Sequence, residues 1–298
     1  MPAGRRLSFG IKTTQSAYQD VLAVWQEADT IPEIEHAWLW DHMVPLREPY
    51  STPQLEGWSM LAALAAQTRR LRMGLMVTNN QNRLPAILAK IAATVDVISD
   101  GRLELGIGAG GGAEIASREY EAYGLPSYSQ AECIERLDEA CGIIRRMWTE
   151  PEFDHEGRHY HLRGTICEPK PVQKPHPPIM IGGGGERLTL RVVARHADTW
   201  NLPGPPWSSP EQFQHKSRVL DGHCAAIGRD PAEIGRQAYL IVDSREREAT
   251  RDVLAAYAAA GATQLVLADR APYAPGHIRR LVDEFLSPLL QEHLHRAR

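Results

Sequence analysis

Short runs of aliphatic, β-branched and aromatic residues alternate with longer stretches whose apolar positions recur every three or four residues, and the rhythm persists along the whole chain. The short runs predict strands at 7–13, 36–40, 71–77, 102–107, 179–182, 199–202, 237–242 and 264–267. Repeated strand–helix units build a parallel sheet with helices packed outside it. Eight strands is the number that closes such a sheet, so the expected fold is α/β, a (β/α)8 TIM barrel forming one domain over 1–298.

The helical stretches carry their own boundaries. In 129–149, Ile134, Leu137, Cys141, Ile144 and Trp148 fall on one face, and Ser129 with Glu132 predicts a capping box. In 84–98 the stripe is Leu84, Leu88, Ile91, Val95 and Ile98, with Pro85 in the first turn and Asp100-Gly101 as the stop. The last helix, 278–290, carries Leu281, Val282, Phe285, Leu286 and Leu289. These stripes read as packing faces. One segment breaks the rhythm: 150–178 predicts an inserted hairpin turning at Glu156-Gly157, then the loop EPKPVQKPHPP. An excursion of that length in a barrel usually serves as a cover or an interface.

Composition narrows the function without naming it. The chain has 298 residues, 43% hydrophobic and 23% charged, enough for a large core. A net charge of -4 supplies no basic stripe for nucleic acid. No segment is apolar enough to span a bilayer, and MPAGRRLSFG has no apolar signal region, so a cytoplasmic protein acting on small molecules is expected. Cys133, Cys141, Cys167 and Cys224 are too scattered for a disulfide framework or a zinc site.

Two motifs mislead. His155-Glu-Gly-Arg-His159 matches H-E-x-x-H, but that spacing gathers two metal ligands only on a helix. Gly157 and the alternation through Leu162 favour a hairpin, so no metal is expected. Gly106, Gly108 and Gly111 read G-x-G-x-x-G after a strand. A dinucleotide fold needs a helix at once, whereas an irregular stretch is expected before the capped helix at 129.

In a barrel the chemistry belongs at the carboxyl ends of the strands. Those ends read Trp40-Asp41-His42, then Val77-Thr78-Asn79-Asn80, then Gly108 to Gly112, then Gly182-Gly183-Gly184-Gly185-Glu186. Four glycines before a helix let backbone N–H groups close around an anion at the positive helix end, a phosphate cradle. His42 is either a structural histidine ordered by Asp41 or a group that exchanges a proton as hydride moves. Trp40, Trp58 and Trp207 read equally as core or as substrate contacts.

With these residues in view the chain resembles the luciferase-like superfamily, and within it the coenzyme F420-dependent oxidoreductases. The resemblance covers nearly the whole chain. It is strongest from RLRMGLMVTNNQNRLPAILAKIAATVDVISDGRLELGIGAGGG to YEAYGLP and in CEPKPVQKPHPPIMIGGGGERLTLRVVARHADTWN. It implies a homodimeric barrel with the deazaflavin ring against strand three, where Met76, Val77 and Thr78 form a bulge whose Met76-Val77 bond is cis. It places Asp41 and Asn79 at the ring's polar edge, Gly108, Ala109 and Gly110 beside the tail, and Gly182 to Gly185 at the phosphate. The sugar-phosphate branch has a glutamate where Gly111 stands and a tryptophan where Leu46 stands. Their absence leaves His42 as the named proton donor, with Asp41 beside it, and favours reduction of an imine or activated alkene. The alternatives are a monooxygenase using reduced FMN, and a barrel that binds the cofactor without catalysis.

Overall fold

The computed structural model describes residues 6–14, 17–45, 48–111, 114–269 and 271–290. The strands are β1 (Ser8–Thr13), β2 (His36–Leu39), β3 (Arg72–Leu75), β4 (Thr78–Asn79), β5 (Leu105–Gly108), β6 (Phe153–Glu156), β7 (His161–Thr165), β8 (Ile179–Gly182), β9 (Thr199–Pro203), β10 (Gly235–Ile241) and β11 (Gln264–Asp269). The helices are α1 (Tyr18–Asp29), α2 (Gly57–Gln67), α3 (Pro85–Ile98), α4 (Glu114–Tyr123), α5 (Gln130–Thr149), α6 (Thr189–His196), α7 (Pro210–Ala226), α8 (Arg247–Ala259) and α9 (His277–Leu281).

The main sheet runs β3-β2-β1-β11-β10-β9-β8-β5-β4, and its neighbouring strands pair in parallel. Its two ends, β3 and β4, are halves of one strand, so the ladder returns on itself as the expected eight-stranded barrel. A bridge between Met73 and Leu103 and the Glu104 N–H donated to Met73 O at 2.8 Å complete the closure. The predicted strand 71–77 is therefore interrupted, and the Met76-Val77 peptide at the break is cis.

Alternation along each strand decides what fills the interior. On β1, Phe9 and Ile11 join the layer under the helices, and Gly10 and Lys12 take the opposite face. Trp38, Met76, Met180 and Val266 form the barrel's inner cluster, with Val77 and Tyr239 against it. Glycine is required where backbones crowd: a Cβ on Gly106 would lie 1.9 Å from Leu75 O. Nearer the amino ends the filling is polar. Trp38 Nε1 donates to His36 Nδ1 at 2.8 Å, and burial pushes the His36 imidazole down to about 4, keeping it neutral. Asn201 donates to Gln237 (2.9 Å), which donates to Gln264 (2.8 Å).

Three local expectations change. Ser129 Oγ accepts the Glu132 N–H at 3.2 Å, but the Glu132 carboxylate turns to Arg136 (3.0 and 2.9 Å), so the serine half of the capping box forms alone. The stretch expected to be irregular holds α4, whose buried face presents Glu119 and Tyr120 in place of an aliphatic stripe. The last helix starts at His277 and widens into a π turn over Val282–Leu286.

The insertion forms the expected antiparallel hairpin, β6 with β7. It docks on α5, where Glu139 accepts His155 Nε2 at 3.0 Å and the N–H groups of His159 (3.0 Å) and Tyr160 (2.9 Å). Glu135 meets His159 Nε2 at 3.2 Å. Both histidines of the misleading motif thus face glutamates from a hairpin and not from a helix, His155 on β6 and His159 in the bend before β7. The four cysteines are buried free thiols.

Candidate active site

The carboxyl ends of the strands make a floor at the barrel's mouth. Val77 fills its centre by wedging between two glycines. Its Cγ2 lies 2.8 Å from where a Gly108 Cβ would sit, and its Cγ1 2.9 Å from the corresponding point on Gly182. Gly108 and Gly182 therefore flank a side chain.

Asp41 sits just beyond β2 and is 3% exposed. Arg83, from the loop after β4, grips it with both terminal nitrogens, Nη1 to Oδ2 at 2.7 Å and Nη2 to Oδ1 at 3.0 Å. Thr78 Oγ1 donates to the same carboxylate, Trp58 Nε1 donates to Thr78 Oγ1 at 3.0 Å, and Arg83 also meets Glu56. Burial pushes the Asp41 carboxyl up, against the pull of Arg83. The guanidinium in turn is held above its ordinary range by Asp41 and Glu56, which outweigh its own burial. Trp58 is thereby a core residue of this network.

Asn79 is likewise committed. Its Oδ1 accepts the Gln81 N–H at 2.9 Å and its Nδ2 donates to Tyr120 Oη at 2.8 Å. Tyr120 Oη also accepts the Gly111 N–H at 2.9 Å, so α4 ties the end of β4 to the glycine turn. Gly110 and Gly111 take φ of 70° and 75°, and a Cβ on Gly110 would strike Asn79 Oδ1 at 2.0 Å. Ala109 O accepts Gln81 Nε2 at 3.0 Å. Leu46 and Gly112 lie outside the described residues.

His42 has a partner that its sequence neighbours do not reveal. Its Nδ1 lies 3.2 Å from Oε2 of Glu119, whose side chain is 1% exposed against 38% for the histidine. The other Glu119 oxygen accepts the Met43 N–H. A buried carboxylate on α4 thus fixes the half-exposed ring through Nδ1. The Trp40 and His42 rings meet edge to face at 6.1 Å.

The tetraglycine turn leaves β8 with Gly183 N–H donated to Asn201 O at 3.1 Å and φ of 135° at Gly183. Among the described residues, the N–H groups of Gly184, Gly185 and Glu186 have no protein acceptor. Lys216 reaches in from α7, its Nζ 2.7 Å from Gly184 O and 3.0 Å from Glu186 Oε1. His223 Nε2 lies 2.8 Å from Glu186 O and His215 Nε2 3.4 Å from Glu186 Oε1. Free amides, one lysine and two imidazoles gather on this turn, an arrangement that suits an anion.

The structure thus sorts the predicted residues into two groups. Asp41, Thr78, Asn79, Met76, Val77, Gly182 and the Gly108–Gly110 turn surround the centre of the mouth, whereas Gly183 to Gly185 lead away from it towards α7. Sequence reading missed Arg83, Glu119, Lys216 and Lys12. Lys12 had a signal, since it shares strand parity with Gly10 near the carboxyl end of β1. The other three stand on helices or loops that only the fold brings back.

An uncharacterised protein of Mycobacterium tuberculosis is 30% identical over 230 residues, covering 76% of this chain and 75% of its own. Among solved structures, an F420-dependent secondary alcohol dehydrogenase bound to an F420-acetone adduct superposes with a TM-score of 0.82 at 15% identity, covering 95% of this chain and 99% of that one. A riboflavin lyase holding modified FMN and riboflavin gives 0.78 at 16% identity, covering 97% and 92%. Among the described residues, no helix is long and apolar enough to cross a membrane. Residues 7–286 match the luciferase-like monooxygenase family model, nearly the entire barrel with its bulged third strand, and the chain belongs to that family.

Proposed function

We propose that the chain is a coenzyme F420-dependent oxidoreductase that moves hydride between the deazaflavin and a small organic substrate, as a cytoplasmic, homodimeric reductase of an imine or activated alkene. The observation that carries this reading is the tetraglycine turn, with its free amides beside Lys216. It fits a cofactor with an anionic tail, and the apolar bulge of Met76 and Val77 fits a flat ring. When bound, the reduced ring supplies the hydride.

The chain's own residues do the rest. Gly183, Gly184 and Gly185 with Lys216 would hold the tail. Asp41 would act through Thr78 and Arg83, fixing the rung on which Val77 and Asn79 stand. Gly108, Ala109 and Gly110 would line the passage between ring and tail. His42, held by Glu119, would present Nε2 to the substrate and release a proton to it.

Titration with F420 and with FMN tests the cofactor. Tight F420 binding with FMN ignored is the expected result. FMN binding alone with consumption of oxygen would install the monooxygenase reading, and binding without turnover a non-catalytic barrel. His42→Ala should slow single-turnover reduction by about 10²- to 10⁴-fold with cofactor binding unchanged. A rate equal to wild type would remove the histidine from the proton path.

A further inference from the structure

The mouth contains a cation that no described residue neutralises. Lys12 is 6% exposed, with Nζ 4.6 Å from the centroid of the Trp40 ring and 4.3 Å from that of Tyr239. Among the described residues these two aromatic faces are its polar contacts, with no hydrogen bond and no carboxylate. The groups facing it from each element are few. From the turn just after β2 comes Trp40, with His42 beyond the ring. From β10 comes Tyr239, whose phenol burial pushes up to about 12 and so keeps neutral. From β11 comes Ala268 in register, while Asp269 takes the other face and meets His277 Nε2 at 3.3 Å. Burial drags the Lys12 amine down to about 7. Such a group gains most when a guest brings negative charge.

The walls say what shape that guest has. Trp207, 56% exposed, lies against Tyr239 with ring centroids 5.9 Å apart, extending the aromatic surface from Lys12 to solvent. Flat walls of this kind suit a planar, conjugated molecule.

We propose that Lys12 contacts the substrate's carbonyl oxygen, so that the substrate is a carbonyl-activated alkene and not an imine. The proposal rests on the reductase reading above and chooses between its two substrate classes. As hydride adds to the β-carbon, the π electrons move to the carbonyl oxygen, and the enolate so formed lies against the ammonium. His42 then gives a proton to the α-carbon, yielding the saturated carbonyl. An ammonium in a poorly solvated pocket stabilises that oxyanion and repels the iminium through which imines accept hydride.

4-Nitrophenol, a planar phenol whose two forms differ in colour, reports on the site without cofactor. Bound to the whole protein it should ionise at least one pH unit lower than when free, a tenfold preference for phenolate. Lys12→Met, with an unchanged circular dichroism spectrum, should abolish the preference. With reduced F420, a cyclic enone should be reduced at least tenfold faster than the cyclic imine of equal ring size. Lys12→Met should lower enone kcat by about 10²-fold with little change in KM, and so erase the preference for the enone over the imine. Binding of the neutral phenol, no binding, a preference surviving in Lys12→Met, or faster imine reduction each overturns the proposal. Phenolate preference with neither guest reduced would retire the reductase reading and leave Lys12 standing as an oxyanion contact.

Discussion

Arg83→Ala should destabilise the protein by about 3–5 kcal/mol, because it strands a buried carboxylate. Asp41 is 3% exposed, and both its oxygens depend on the guanidinium. Thr78 and Trp58 cannot replace the lost charge, and the rung carrying Val77 loses its brace. Urea denaturation at neutral pH measures the loss. The double change Arg83→Met with Asp41→Asn should cost less than Arg83→Ala alone, since it removes both charges. A loss under about 1 kcal/mol for the single variant would mean that water reaches Asp41 and that the pair is not the brace described.

Lys12→Met should do the reverse, raising stability while removing function. The methionine keeps most of the packed stem and deletes the buried charge. The folded-state value of about 7 lies below the unfolded 10.5. Between those values the unfolded chain binds more protons, so wild-type stability climbs with pH across that window, and the penalty is complete below it. The variant should therefore exceed wild type by up to about 5 kcal/mol at pH 6, with the gap closing towards pH 10. Paired denaturation curves at pH 6 and 9.5 read the difference, and comparison against the variant removes the buried thiols and phenols that titrate in the same range. Equal stability at pH 6 would show that Lys12 is solvated or paired.

The barrel was legible because its signals are local: strand runs, helical stripes and stops such as Asp100-Gly101 each act over a few residues. The break within strand three was not legible from its pattern, since LRMGLMV alternates smoothly; only the resemblance placed it at Met76-Val77. Helix α4 escaped because Glu119 and Tyr120 hold the positions where aliphatic residues would announce a buried face. The same fact hid the partner of His42. Asp41 was visible as a polar residue at a strand end, but its pairing with Arg83 joins positions 42 residues apart and needed the folded chain. Lys12 is the opposite case, a residue whose alternation with Phe9 and Ile11 along β1 points it inward.

A ladder that returns on itself offers no row of unpaired backbone groups, so this barrel cannot grow by adding a strand from another molecule. Contacts made by the barrel itself must use side chains of its outer shell, where α3 displays Ile87, Val97 and Ile98 to solvent, with Leu84 just before its first turn. Partner choice and chemistry are thereby written on different faces of the same elements. Substitutions on the outer shell can change the company the protein keeps without touching the chamber inside.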